Sequence, residues 1–256
     1  MSIQFGFCAP PERAQALAAA GIAAAESTVG AITSWTDAER EANVAAFRTA
    51  GVRFETCNCL IGGFSLYDDP DFAKTNAYFD EKLPKLAAAG MKILVFGSGG
   101  YRKVPEGVDR AFAKARILDF LRLLSKRIEP YGMTAVIEPL NKGECNILNT
   151  SAEAAEYVRE LDLPNIRLLV DYYHFLLEGE RLTAIADYKG ILAHTHIARP
   201  VGRGTPAPYD GVDYRGFLDA LKAIGYDGLV VAEPRVGADW EKEYREFADA
   251  MARALG

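Results

Sequence analysis

The chain has 256 residues, half of them hydrophobic and a quarter charged, which allows one large core and excludes a disordered or fibrous chain. A formal net charge of −6 and a pI near 5.3 exclude a basic face for nucleic acid or anionic lipid. With no apolar stretch near the ~20 residues that span a bilayer, no signal-peptide pattern in MSIQFGFCAPPER and only four cysteines, the expected protein is cytoplasmic, free of disulfides, and without membrane or nucleic-acid partners.

Eight short apolar runs follow in chain order, most of them opening just after a glycine. They are IQFGF (3–7), GIAAAE (21–26), GVRFETC (51–57), GMKILVFG (90–97), GMTAVIEP (132–139), NIRLLVD (165–171), GILAHTHIA (190–198) and DGLVVAEP (227–234). Between them lie stretches with helical spacing: PERAQALAAA, DAEREANVAAFRTA, YFDEKLPKLAAA, DRAFAKARILDFLRLLSKRI, SAEAAEYVREL, YRGFLDALKAI and DWEKEYREFADAMARAL. HFLLEGERLTAIADY is the weakest helix of the series, since Gly179 interrupts it. Gly21, Gly51, Gly90, Gly132 and Gly190 sit where a helix ends and reverses into a strand, a place that favours positive φ. Strands alternating with helices imply parallel pairing and right-handed crossovers. Parallel strands covered on both faces read as continuous apolar runs. Eight units of about 32 residues predict a single α/β domain over 1–256, a (β/α)8 TIM barrel. A doubly wound sheet is the alternative, but it calls for a glycine-rich phosphate turn after the first strand, where this chain has FCAPPER. FGSGGYR, after the fourth run, lacks the G-x-G-x-x-G spacing.

In such a barrel the C-terminal strand ends form the reactive face. Those ends carry Glu26, then Cys57 and Asn58, then Ser98, and on the last four strands Glu138, Asp171, His196 and Glu233. A carboxylate ending a buried run is costly unless something compensates it, and three carboxylates beside an imidazole would raise one another's pKa. A shared dication removes the difficulty. Hard oxygen ligands with one imidazole suit Mn²⁺, Mg²⁺ or Co²⁺, with Zn²⁺ a further candidate. Taken singly, each acid reads as a helix cap or surface charge; four suitable ligands at one level on consecutive strands favour a metal site. Pro139 and Pro234, each directly after a glutamate, stiffen the turns. Cys57 and Cys59 would share one strand face as buried free thiols. His194, one layer below His196, reads as a core histidine, while His174 either points at substrate or supports the metal's ligands from behind.

IEPLNKGE (137–144), VDYYHFLLEGE (170–180), HTHIARPVGRGTP (194–206) and GYDGLVVAEP (225–234) together resemble the sugar phosphate isomerase/epimerase family, the xylose-isomerase-like barrels that include ketose 3-epimerases and hydroxypyruvate isomerase. The resemblance implies a metal held by Glu138, Asp171, His196 and Glu233, with Glu138 and Glu233 doubling as acid/base groups. It implies substrate contacts from His174 and Arg203, with Arg199 competing for the latter role, and Glu144 orienting both substrate and the neighbouring histidine. Relatives are often dimers or tetramers, so a homo-oligomer is expected.

The chemistry this implies is a metal-dependent isomerase or epimerase acting on a small ketose, keto-sugar or hydroxy-keto acid. A proton is taken from beside the carbonyl, and the metal stabilises the enediolate. A dehydratase of the same family would start with the same proton. A zinc endonuclease of the same barrel would need histidines on the early strands, and this chain has none before His174. A non-enzymatic sugar-binding barrel is the remaining alternative. Phe7, Trp35, Phe64, Tyr101 and Tyr172 are candidates to cover a sugar's apolar face, or else ordinary packing.

Overall fold

A computed structural model describes residues 3–256. Eight parallel strands close into a barrel in sequence order: β1 (Gln4–Cys8), β2 (Ala24–Thr28), β3 (Arg53–Asn58), β4 (Ile93–Phe96), β5 (Thr134–Ile137), β6 (Ile166–Asp171), β7 (Leu192–Ile197) and β8 (Leu229–Ala232). Each falls within or beside the run expected to form it, and the doubly wound alternative is set aside by the β1–β8 pairing, which carries Phe5 opposite Val230 and Phe7 opposite Ala232.

The helices follow from local signals. Asp37–Ala50 opens on a capping box, in which Thr36 Oγ1 accepts from the Glu39 amide and the Glu39 carboxylate accepts from the Thr36 amide. It closes on Gly51 at φ +73°. The other four glycines expected at helix-to-strand reversals also have positive φ, between +64° and +81°. Arg110–Ile128 lays Ile117, Phe120, Leu121 and Leu124 on the barrel wall, and Phe120 packs at 4.9 Å from Phe96 and 5.0 Å from Tyr101. The weak helix splits at Gly179 (φ +69°) into Tyr172–Leu177 and a 3-10 stretch, Leu182–Tyr188. The helical spacing did not signal Val29–Ser34 or Gly99–Arg102; both are short helices that open just after a strand end, the first capped by the Thr28 hydroxyl.

Two apolar layers result. The larger joins the outer faces of the strands to the helices. Inside the barrel, Ala24, Leu229 and Val231 form one small cluster, and Val95, Val136 and Leu169 another. Because side chains alternate along a strand, the residues two further on from Val136, Leu169 and Val231 face the same way. They are Glu138, Asp171 and Glu233, which places the acids directly above the apolar floor.

Candidate metal centre and substrate site

The register β6–β7 sets Asp171 opposite His196 and Leu169 opposite His194, so both histidines face the barrel interior, one level apart. Glu138 and Glu233 each stand one residue past the end of β5 and β8. One ligand atom from each of Glu138, Asp171, His196 and Glu233 lies within 4.8 Å of the others. Glu138, Asp171 and His196 are buried. His196 Nδ1 is 2.8 Å from Glu138 Oε1 and 3.4 Å from Glu233 Oε2. Asp171 Oδ2 is buried with no hydrogen-bond partner, although Oδ1 accepts from the Tyr173 amide at 2.9 Å. A buried anionic oxygen left without a donor is expensive, and three hard oxygens converging with one imidazole nitrogen match what Mn²⁺, Mg²⁺ or Co²⁺ would accept. The donor set fits a divalent ion.

The surroundings shape each ligand. Burial pushes the Glu138 carboxyl up, and the opposing pull of His196 leaves it above the usual range. Burial also pushes Glu233 up, but His196 and the Arg203 guanidinium outweigh it and hold the carboxyl below that range. Desolvation disfavours the His196 cation, yet Glu26, Glu233 and Glu138 together raise its pKa well above the imidazole norm. Asn58 donates to Glu233 Oε1 at 2.7 Å. Gly97 makes room for Glu138, since a Cβ there would stand 2.1 Å from Glu138 Oε2.

Glu26 lies beneath the cluster, fully buried. Its Oε2 is 3.0 Å from His194 Nε2, and its Oε1 is 3.0 Å from His196 Nε2. Burial opposes its ionisation, but the two histidines outweigh burial and hold the carboxyl far below its usual range. Glu26, His194 and His196 also form a compact group. With both Glu26 oxygens turned to imidazoles, this group backs the upper cluster. His194 is thus a core histidine, as its position one layer down suggested.

Around the mouth, Arg203 hydrogen-bonds Glu233, lies 3.6 Å from Asp171 Oδ2 and 3.3 Å from Glu144 Oε1, and stacks over Tyr173 at 4.8 Å. Its backbone is left-handed at φ +49°, and its carbonyl accepts from the Arg235 amide at 2.7 Å. Arg199 turns aside, its guanidinium lying flat on Gly204; of the two arginines, Arg203 reaches the cluster. His174 is buried, with Nε2 3.4 Å from Asp171 Oδ2. Its Nδ1 is held by Asn141, not by Glu144, and Asn141 in turn donates to Glu144 at 3.0 Å. Asn141 thus stands between the two residues that the resemblance pairs directly.

The remaining expectations divide. Cys57 is buried, but β3 ends at Asn58, and Cys59 turns out at φ +54° into an exposed position, so the two thiols do not share a face. Phe7 packs on Tyr244 and Phe247, Tyr101 donates to or accepts from Thr75, and Tyr172 stacks on Phe217 at 4.2 Å; all three are buried packing, not sugar covers. Trp35 leans on Phe54 and Phe64 on Tyr101. Tyr173 lies under Arg203 at the mouth of the site, and sequence reasoning passed over it. Asn141 was also missed, although it lies inside the quoted IEPLNKGE.

A family model described as xylose isomerase-like TIM barrel matches residues 14–254. The chain belongs to this family. Among its relatives, a 3-dehydro-D-guloside 4-epimerase of Escherichia coli is 32% identical over 66% of this chain and 66% of its own length. A D-psicose 3-epimerase of Enterocloster bolteae is 30% identical over 66% of this chain and 57% of its own. A protein of Streptomyces coelicolor provisionally named a hydroxypyruvate isomerase is 30% identical over 95% of this chain and 91% of its own length. The matches to the two epimerases thus span less than two thirds of those relatives' length. Among family folds already solved, a D-psicose 3-epimerase crystallised in the presence of D-fructose superposes with a TM-score of 0.83 at 20% identity, covering 99% of this chain and 97% of that one. At that identity the likeness is one of fold. Among the described residues, no helix is long and apolar enough to cross a membrane.

Proposed function

We propose that this barrel is a divalent-metal-dependent epimerase or isomerase of a small ketose, keto-sugar or hydroxy-keto acid, with Glu138 and Glu233 moving the proton. The observation that carries this reading is the convergence of three carboxylates and one imidazole on a point where a buried Asp171 oxygen makes no hydrogen bond. The family's relatives support it: they are named as epimerases and isomerases of sugars and of hydroxypyruvate, conversions that share a C–H bond made acidic by a neighbouring carbonyl.

Glu138, Asp171, His196 and Glu233 would hold the ion, which when bound supplies positive charge where a carbonyl oxygen becomes anionic. The rest falls to the chain itself. Glu138 on β5 and Glu233 on β8 come from strands three apart around the barrel, so they approach a bound sugar from different sides. One accepts the proton and the other returns one, either to the opposite face of the same carbon or to its neighbour. Arg203, fixed by Glu233, Glu144 and the Tyr173 ring, and His174, presenting Nε2, would hold substrate oxygens. Val136, Leu169 and Val231 line the barrel interior one level below the acids, beside the buried Glu26–His194 pair.

The test is solvent-deuterium incorporation beside the carbonyl on a panel of ketoses and hydroxy-keto acids, with and without metal. Turnover should vanish with EDTA and return with Mn²⁺, and Glu138→Gln or Glu233→Gln should each lose about 10²- to 10⁴-fold. Exchange that survives chelation, or either glutamine variant retaining full rate, would overturn the reading.

A further inference from the structure

Asn141 lies three residues past Glu138 and donates no ligand to the cluster. Its side-chain amide has one orientation available: Oδ1 accepts from the Gly143 amide at 2.9 Å, and Nδ2 donates to the Glu144 carboxylate at 3.0 Å. A backbone N–H can only give and a carboxylate can only accept, so two independent partners fix which end of the amide is nitrogen. That nitrogen also lies 2.8 Å from His174 Nδ1, and the Asn141 backbone N–H donates to the same ring nitrogen at 3.1 Å. His174 Nδ1 therefore faces two donors and must present its lone pair. The ring proton is left on Nε2, which is buried, makes no hydrogen bond within the chain, and lies 3.4 Å from Asp171 Oδ2, itself 3.6 Å from Arg203.

We propose that Asn141 is a positioning residue that sets the His174 tautomer, so that the imidazole offers an Nε2–H donor to a substrate oxygen at the edge of the cluster. This rests on the function proposed above only for what His174 donates to; the tautomer itself does not. Asn141 also links that donor to the rest of the mouth. Glu144, which accepts from Asn141, is 3.3 Å from Arg203, and Arg203 hydrogen-bonds Glu233. The loops after β5, β6, β7 and β8 are thereby connected through one asparagine.

Two substitutions separate tautomer control from simple packing. In Asn141→Asp, a carboxylate replaces the amide donor and turns an acceptor toward Nδ1, drawing the ring proton there. Asn141→Ala removes the side-chain donor but keeps the backbone N–H on Nδ1, so the native tautomer persists. The readout is the pair of imidazole ¹⁵N resonances of His174 in metal-free protein, together with kcat/KM of the metal-loaded enzyme. Wild type and Asn141→Ala should show an unprotonated Nδ1 and a protonated Nε2, and Asn141→Asp should lose that pattern. Turnover should fall on the order of 10²-fold in Asn141→Asp, the cost of withdrawing one oriented donor, and by less in Asn141→Ala. A protonated Nδ1 in neutral His174 of the wild type, or an aspartate variant with an unchanged ring pattern, overturns the proposal. A wild type inactive on every ketose and hydroxy-keto acid would sink the functional reading and leave the tautomer assignment standing.

Discussion

Asp69 takes no part in the site, yet its carboxylate accepts three hydrogen bonds: from the Lys74 amide at 2.9 Å, the Thr75 amide at 2.8 Å and the Thr75 hydroxyl at 2.6 Å. Burial pushes this carboxyl up, but those bonds and the nearby Arg116 charge outweigh it, leaving the group below the usual aspartate value. A folded-state pKa depressed in this way adds stability above the unfolded value of about 3.9, and the contribution fades as pH falls through the lower folded value. Asp69→Ala strands the buried Thr75 donors and should cost about 2–3 kcal/mol. Urea denaturation across pH checks this: the gap between wild type and variant should be constant near neutrality and narrow in acid. A gap that does not narrow would show that the ionised carboxylate is not what Thr75 needs.

Between single residues and the whole barrel lies the strand end. β4, β5, β6 and β8 each end where a run of apolar residues meets a group with a specific task, and the group beyond β4 is Gly97. Its value is what it lacks, because a Cβ there would collide with Glu138 Oε2 at 2.1 Å. The carboxylate is buried and bonded to His196, so Gly97→Ala should cost about 1–3 kcal/mol. The displaced Glu138 should still lower metal affinity, on the order of tenfold or more. Isothermal titration with Mn²⁺, paired with thermal unfolding, distinguishes the cases: equal losses in both would mean the strand end had collapsed. The same scale explains Arg102, a fully buried cation held by the carbonyls of Phe96 and Glu138. It ties the ends of β4 and β5 together directly behind Glu138.

Closure of the barrel brings β5, β6, β7 and β8 around one axis, and with them the acids that would otherwise repel one another. Ligand binding to the folded chain alone must raise its stability. With Mn²⁺ at a hundred times its dissociation constant, the gain should be about 2.7 kcal/mol, seen as a rise in Tm that EDTA abolishes. Glu233→Gln should shrink that rise, since it removes a charge that the ion offsets. A Tm indifferent to divalent ions would mean that these carboxylates are reconciled by His196 and Arg203 alone.

Much of this was written locally. The apolar runs, the turn glycines and the capping box at Thr36 are short-range patterns, and they specified eight strands, most of the helices and the level at which Glu138, Asp171, His196 and Glu233 emerge. Alternation along a strand is enough to put His194 one layer under His196. What the sequence could not carry was contact between distant segments. Cys59 left the strand face because β3 ended one residue earlier, and Asn141 came to hold His174 because two loops meet above the barrel. The support of His196 by Glu26 depends on how β2 and β7 face each other across the interior. Spacing along a chain encodes which way a side chain points; only the stagger of the closed sheet decides what it meets there.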